Sequence, residues 1–474
     1  MKKISKQILA IVLALSVMMS MTVTSFASFS TWDIAWNTDD AKAGITVFVG
    51  SNETERNFSW YSATESSPSV RIGESTLSLK TVNGTCVKAP DGDYANKVTV
   101  TGLKADTKYY YQCVSGDFTS KIYSFETHSG DDFSAIYVTD VHVTQNDIND
   151  ENSLYNTSKM FNNTLRDALS KNDDISLVLS AGDQATQGLE SEYKAYSVGM
   201  YGTGLSVATA IGNHDRKGVA YKTFTNMPNE DTESLSLYIG NDYWFVKGDV
   251  LFLVMDSNNG NGTGHASFIE SAIKANPNVK WKVMMCHHDL YSGRIPHRES
   301  ENSILRMIWG PLADEYGIDL VLLGHSHYYT VTNVLNNNKV VSPLAAEMID
   351  PEGTIFMVSC SLGRARNDEE IGLNSYVGFD YLTENAVYNI LDFTQDSITV
   401  NSYELGAEKA FNTFTIKKTT ADGGHGEIGY FTSLWNKFVR TVGAVYTLFN
   451  NITLYSDLKD AGYDIDFMDC VFGR

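Results

Sequence analysis

Five short motifs each follow an apolar run, and each carries side chains able to bind a metal ion. They read Asp140-Val141-His142, Gly182-Asp183, Gly212-Asn213-His214-Asp215, His287-His288 and Gly324-His325-Ser326-His327. Carboxylate and amide oxygens suit hard divalent ions, and imidazole nitrogens suit borderline ones. Asp140 and His142 are two residues apart, so both can turn toward one point once the chain leaves a strand. Asp183 can lend one carboxylate oxygen to each of two ions. Asn213 offers an amide oxygen, and His287, His325 and His327 offer ring nitrogens. A lone Gly-Asp or His-His occurs by chance, and a single histidine is more often a surface or hydrogen-bonded residue than a ligand. Here five of the ten histidines (His142, His214, His287, His325 and His327) fall into one ordered pattern. That coincidence points to a centre for two ions.

The motifs need strands to hold them. Phe133–Thr139, Ile175–Ser180, Ser206–Ile211, Val250–Met255, Lys280–Cys286 and Leu320–Leu323 are near-continuous apolar runs, the pattern of strands covered on both faces. Helix-like segments lie between several of them, including Ser158–Ser170, Ala266–Ala275 and Ser303–Tyr316. This alternation predicts an α/β domain over residues 130–420. Ligands in such sheets collect beyond the carboxyl ends of the strands, where every motif sits. Thr354–Cys360, Ala386–Phe393 and Ser397–Leu405 read as consecutive antiparallel strands, so a mixed sheet or a two-sheet sandwich is expected. Residues 28–129 read as a separate all-β sandwich of short β-prone runs punctuated by Gly, Asn, Asp and Ser. Trp60 is a candidate core residue there, and Leu103–Tyr111 looks like a tyrosine corner.

In this order the motifs resemble the calcineurin-like metallophosphoesterase superfamily, over residues 135–330 or so. The resemblance implies one metal site of Asp140, His142, Asp183 and His327, and a second of Asp183, Asn213, His287 and His325. It implies that His214 meets the substrate phosphate or the leaving group, and that Asp215 orients it. The amino-terminal stretch resembles a fibronectin type III domain of the kind found at the front of purple acid phosphatases. Those enzymes carry Asp-x-Gly and Gly-Asp-x-x-Tyr, the tyrosine binding ferric iron. This chain has His142 in place of the glycine and Thr186 in place of the tyrosine. It also lacks the Gly-Asp-x-x-Asp-Arg-Gly of protein phosphatases. His297, ten residues after His287, falls near a substrate-facing histidine of the plant enzymes, with Arg298 beside it. His288 is expected to support His287 or line the pocket, and Arg364 and Arg366 to be surface residues.

The resemblance implies two divalent ions as cofactors, iron, manganese or zinc. Two such ions can share a water, lower its pKa toward about 7 and direct the resulting hydroxide at phosphorus. The reading is a secreted phosphomonoesterase of the acid-phosphatase kind acting on small phosphate esters. The alternatives are a phosphodiesterase or nucleotidase with the same metals, and a cell-surface binding protein with a degenerate site. Loops 257–264 and 289–302 are where substrate choice would lie.

The rest of the chain bounds these readings. Met1-Lys2-Lys3, the apolar run Ile8–Val17 and Ser25-Phe26-Ala27 form a signal peptide over residues 1–27, its apolar run shorter than the roughly 20 residues of a membrane span. The mature chain is therefore expected to be secreted, with attachment to the cell surface left open, and to have no membrane span. Removing Lys2, Lys3 and Lys6 moves the formal charge from −21 to −24, 33 basic against 57 acidic residues. So acidic a product disfavours nucleic acid as a partner. Five cysteines make no disulfide framework; Cys86 and Cys113 are the two that could pair. Residues 421–474 read as a linker and a helical extension. Within it Phe431, Trp435, Phe438, Val442, Val445, Phe449 and Ile452 recur at helical spacing, an apolar face expected to pack on the enzyme or a neighbour. The oligomeric state is left open.

Overall fold

The computed structural model describes residues 35–144, 153–231, 242–291, 299–363, 374–420, 423–425, 429–463 and 465–467. The apolar runs form strands with both faces covered: Phe133–Val138, Ser206–Thr209 and Leu320–Leu323 are buried at every position. Each fully buried Val, Leu or Ile side chain contributes about 1.5–3 kcal/mol relative to exposure, so these strands belong at the centre of a core. Two mixed sheets result. In the first, Phe133–Val138, Ile175–Ser180 and Ser206–Thr209 run parallel. In the second, Val250–Val254, Trp281–Met285, Leu320–Leu323 and Ile355–Val358 do the same. The sheets face each other across Phe133, Phe252 and Phe393, with Phe133 and Phe393 stacked at 4.6 Å and Phe252 at 5.7 Å from Phe393. Tyr137 of the first sheet donates its hydroxyl to the Leu323 carbonyl of the second. Helices Gly262–Ala275 and Glu299–Glu315 pack on the second sheet through Ile269, Leu305, Ile308 and Trp309. The architecture is mixed α/β with a β-rich amino-terminal part.

The later strands do not run consecutively as expected. Val387–Phe393 and Ser397–Glu404 are an antiparallel pair beside Phe133–Val138. Ile355–Val358 instead enters the other sheet, parallel to Leu320–Leu323. All four of its residues are buried, which suits an interior position better than a place in a hairpin.

The amino-terminal sandwich is less separate than its composition suggests. Its strand Thr46–Val49 pairs in parallel with Ser206–Thr209, Phe48 opposite Val207. One sheet of the sandwich thereby continues the first sheet, giving eleven strands in all. Thr46 and Ser197 hydroxyls at 2.6 Å tie the same seam. Trp60 is buried and donates to Ser115 Oγ at 3.0 Å. The Tyr109 hydroxyl accepts from the Lys104 amide at 2.8 Å, closing the tyrosine corner. Cys86 and Cys113 are both free. Cys86 lies on a strand paired to Tyr94–Thr101 and Cys113 on one paired to Ser69–Ser75, in different sheets of the sandwich.

The carboxyl-terminal helix, Tyr430–Asp460, packs the reverse way to its expected amphipathicity. Trp435 and Phe449 are 62% and 65% exposed, while Thr447 and Asn451 are 1% exposed. The inward face carries Asn436, Arg440, Gly443, Thr447 and Asn451. A side chain at Gly443 would meet the Gly260 carbonyl at 2.3 Å, so close contact there needs glycine. Thr447 Oγ1 accepts from the Gly260 amide at 2.6 Å, and Arg440 pairs with Glu315. Thr447 and Arg440 thus find partners at the docked face, and the apolar stripe is turned outward. Among the described residues no helix is long and apolar enough to cross a membrane.

Candidate metal centre

The motif residues lie just beyond the carboxyl ends of five strands, three in the first sheet and two in the second. The backbone turns sharply there. Asp140, His142, Asp183, His325 and His327 all have positive φ, at 51°, 50°, 50°, 76° and 64°. The left-handed conformation lets successive side chains converge instead of alternating across a strand. His142 adopts it where the resemblance leads one to expect glycine, the residue that takes this conformation freely.

The motif glycines have a packing reason. A Cβ on Gly212 would lie 2.0 Å from Asp183 Oδ1, one on Gly182 would lie 2.4 Å from His287 Nδ1, and one on Gly324 would lie 2.5 Å from Asp140 Oδ2. Each glycine therefore lies beneath a candidate ligand from another segment.

Two sets of side chains come together. In the first, His327 Nε2 is 3.2 Å and His142 Nε2 3.6 Å from Asp140 Oδ1, and the two ring nitrogens are 3.1 Å apart. In the second, Asn213 Oδ1 is 2.8 Å from His325 Nδ1 and 3.1 Å from His287 Nε2. Asp183 Oδ2 faces both, 3.7 Å from His142 Nε2 and 3.3 Å from His287 Nε2. All seven side chains named for the metals in the sequence are thus gathered. Their other atoms are tied back. Asp140 Oδ2 accepts from Thr139 Oγ1 and the His325 amide, Asp183 Oδ1 from the His214 amide, and His287 Nδ1 lies 2.9 Å from the Ala181 carbonyl. That carbonyl keeps the His287 proton on Nδ1 and leaves Nε2 as the lone pair, the usual way a ligating histidine is oriented.

The donor set fits a pair of cations. Asp140 Oδ1 is buried with no hydrogen-bond partner, an arrangement that is costly unless positive charge arrives. Burial alone would raise Asp183, yet His287 and His142 hold it well below the usual carboxylate range. Burial alone would lower His287, yet Asp183 holds it up at about 10. The pocket thus favours positive charge beside Asp183, which a divalent ion supplies more fully than an imidazolium.

His214 is only partly buried, unlike Asp140, His142, Asp183 and His287. Its Nδ1 lies 2.9 Å from the Thr186 carbonyl and 2.6 Å from Lys217 Nζ. Burial pushes it down to about 4. Asp215 does not orient it as expected. The Asp215 carboxylate turns back to accept from the Gly212 and Ala185 amides and the Tyr193 hydroxyl, at 2.9, 3.1 and 2.9 Å. It sits at the start of a short 3-10 turn, Asp215–Lys217, so its side chain folds over its own loop and clamps it to the loop after Ile175–Ser180. Burial, then Asp183, pushes Asp215 up to about 7. The Thr186 carbonyl and the Lys217 ammonium flank Nδ1 and orient the ring in its place. Thr186 Oγ1 itself donates to the His142 carbonyl at 3.2 Å. His288 lies beside His325, ring centres 4.8 Å apart and planes tilted by 41°, with Nδ1 2.9 Å from Ser257 Oγ. His297, Arg298, Arg364 and Arg366 lie outside the described residues.

Comparison with known families covers the same segments. Residues 133–329, which contain all seven gathered side chains, match the calcineurin-like phosphoesterase family. The chain is a metal-dependent phosphoester hydrolase. Residues 42–127 of the phosphoesterase match the purple acid phosphatase amino-terminal domain. Among solved structures, the purple acid phosphatase PPD1 from yellow lupin (Lupinus luteus) seeds aligns over 81% of this chain and 76% of its own, at 18% identity and a TM-score of 0.67, and so shares its fold. The sensor domain of the anti-sigma factor RsgI4 from Pseudobacteroides cellulosolvens aligns over 18% of this chain and 74% of its own, at 17% identity and a TM-score of 0.14. No curated protein matches the phosphoesterase.

Proposed function

We propose that this phosphoesterase is an exported two-metal phosphomonoesterase. The observation that carries the reading is Asp183, whose Oδ2 faces both ligand sets. Asp140, His142, Asp183 and His327 would hold one ion, and Asp183, Asn213, His287 and His325 the other. When bound, such ions supply Lewis-acid stabilisation of phosphoryl charge and acidify a water to a pKa of about 7. The protein's own part is positional. The buried carboxylates and histidines keep the centre rigid, and the close-packed glycines keep the ligands in register. With Nδ1 accepting from Lys217 Nζ, the ring proton of His214 would sit on Nε2 and could be donated to the ester oxygen as negative charge develops on it. Asp215 holds the loop that carries Asn213 and His214. His297 is a second candidate for touching phosphate.

The test is turnover of a phosphomonoester and a phosphodiester by the purified mature protein supplied with Mn²⁺, Zn²⁺ or Fe²⁺. The monoester should be the better substrate. A diester preference would shift the reading to a phosphodiesterase, and a protein with neither metal nor turnover would be a binding module.

Two further results are expected. The metal-loaded protein should contain about two ions per chain, in keeping with two-metal sites, and should show no tyrosinate-to-iron absorption band, because Thr186 occupies the tyrosine position. A purple band abolished by reduction would overturn that assignment. The secreted protein should begin at Ser28 or within a few residues of it. Terminal sequencing that finds Met1 in the mature product would refute export by cleavage.

A further inference from the structure

The family match ends at residue 329, yet a much later element reaches the centre. A cavity of about 290 Å³ opens beside Asn213 and His288. Arg216 and Asn258 line it from the loops that follow two of the central strands. The carboxyl-terminal helix completes it with Tyr446, Asn450, Thr453 and Asp457. The helix is held in place by the Gly443–Gly260 contact, the Thr447 hydrogen bond and the Arg440–Glu315 pair.

We propose that this cavity is the subsite for the alcohol part of the ester, and that the alcohol is uncharged and hydroxyl-rich, as in a sugar phosphate. The inference rests on the phosphomonoesterase reading. Its chemistry follows from the lining. Arg216 and the Asn450 amide donate, Asp457 accepts, and Thr453, whose hydroxyl proton goes to the Phe449 carbonyl at 3.2 Å, accepts as well. Hydroxyl groups, which donate and accept together, match such a mixture, whereas an apolar alcohol offers it neither donor nor acceptor. A second phosphate is disfavoured: the buried Asp256 offsets the charge of Arg216, and Asp457 adds a negative one. The Tyr446 ring, with Leu305 and Leu454, offers an apolar surface for the C–H side of a sugar. The volume lies just below the roughly 300–1,000 Å³ of drug-sized small-molecule sites, enough for one ring but not for a polymer.

The experiment compares glucose 6-phosphate with 4-nitrophenyl phosphate in the full chain and its Asn450→Ala and Asp457→Asn variants. In parallel, metal-loaded protein is titrated calorimetrically with a non-hydrolysable glucose phosphonate and with methylphosphonate. Asn450 is half-buried and Asp457 exposed, so neither change threatens the fold, and thermal melts check this. The kcat/KM ratio of sugar to aryl ester should fall about tenfold or more in each variant, mainly through KM, the scale expected when a site loses a partner for a substrate hydroxyl. The preference for the sugar phosphonate should fall by the same factor. Ratios within about twofold of the unsubstituted protein, or equal slowing of both esters, would overturn the subsite. Should the unsubstituted protein hydrolyse neither ester, the phosphomonoesterase reading fails on its own. The phosphonate titration still decides the subsite, which is overturned if the variants leave the sugar preference unchanged.

Discussion

Asp183→Ala should lose bound metal and turnover together. Among the described residues Asp183 belongs to both the His142 and the His287 groupings, so its removal withdraws a ligand from each set at once. Substituting residues that merely support ligands costs about 10–100-fold in metal affinity, and loss of the shared carboxylate should exceed that at both positions. The change also removes the largest of the negative charges that hold His287 up. Stability should report the same loss by another route. A ligand that binds only the folded state stabilises it by about 2.7 kcal/mol at one hundred times its Kd. Added Mn²⁺ or Zn²⁺ should therefore raise the melting temperature of the unsubstituted protein and leave that of Asp183→Ala nearly unmoved. Metal analysis after desalting, with melts in the presence and absence of the ions, checks both. Two retained ions per chain would remove Asp183 from its bridging role.

His214→Ala should behave oppositely with respect to metal. It should keep its ions and its fold while turnover falls by roughly 10²–10⁴-fold, the usual scale of help from one acid–base or hydrogen-bonding group. The argument is positional: His214 Nδ1 is engaged by the protein, and its ring is more exposed than those of His142, His287 and His327. The loss should be smaller for nitrophenyl phosphate, whose leaving group needs no proton, than for an alkyl phosphate. The competing arrangement is also visible, since His142, Asp183 and His214 converge closely enough to hold an ion themselves. Metal content separates the two. If His214→Ala empties the centre as fully as Asp183→Ala, the histidine is a ligand.

The strands that carry the site were legible because burial on both faces leaves a plain mark in sequence. Ile175–Ser180 and Leu320–Leu323 have the limits their apolar runs suggest. The ligands were legible because they are side chains placed at the ends of those runs. What escaped notice depends on neighbours that sequence does not name. The Thr186 carbonyl at His214 is a backbone atom, and every residue has one. Asp215 looks like a partner for His214 by adjacency, but a tight turn sends its carboxylate to the Gly212 and Ala185 amides. The pairing of Phe48 with Val207 joins two segments by edge hydrogen bonds that leave no periodicity. In the carboxyl-terminal helix the period was plain, but a period does not say which face docks. There the Gly260–Gly443 approach and paired polar groups decided it.

The left-handed backbone at the centre bears on whether such a site could persist unused. A non-glycine residue in that conformation costs about 1–2 kcal/mol, less for aspartate, and five residues here adopt it. Together these penalties are a sizeable part of the roughly 5–15 kcal/mol by which a domain is stable. Were the ions not needed, substitutions to glycine or asparagine at these positions would be gains, and random mutation would tend to accumulate them. Aspartate and histidine stand at all five, so the fold carries this backbone cost at side chains that could each bind a cation, as a working centre requires.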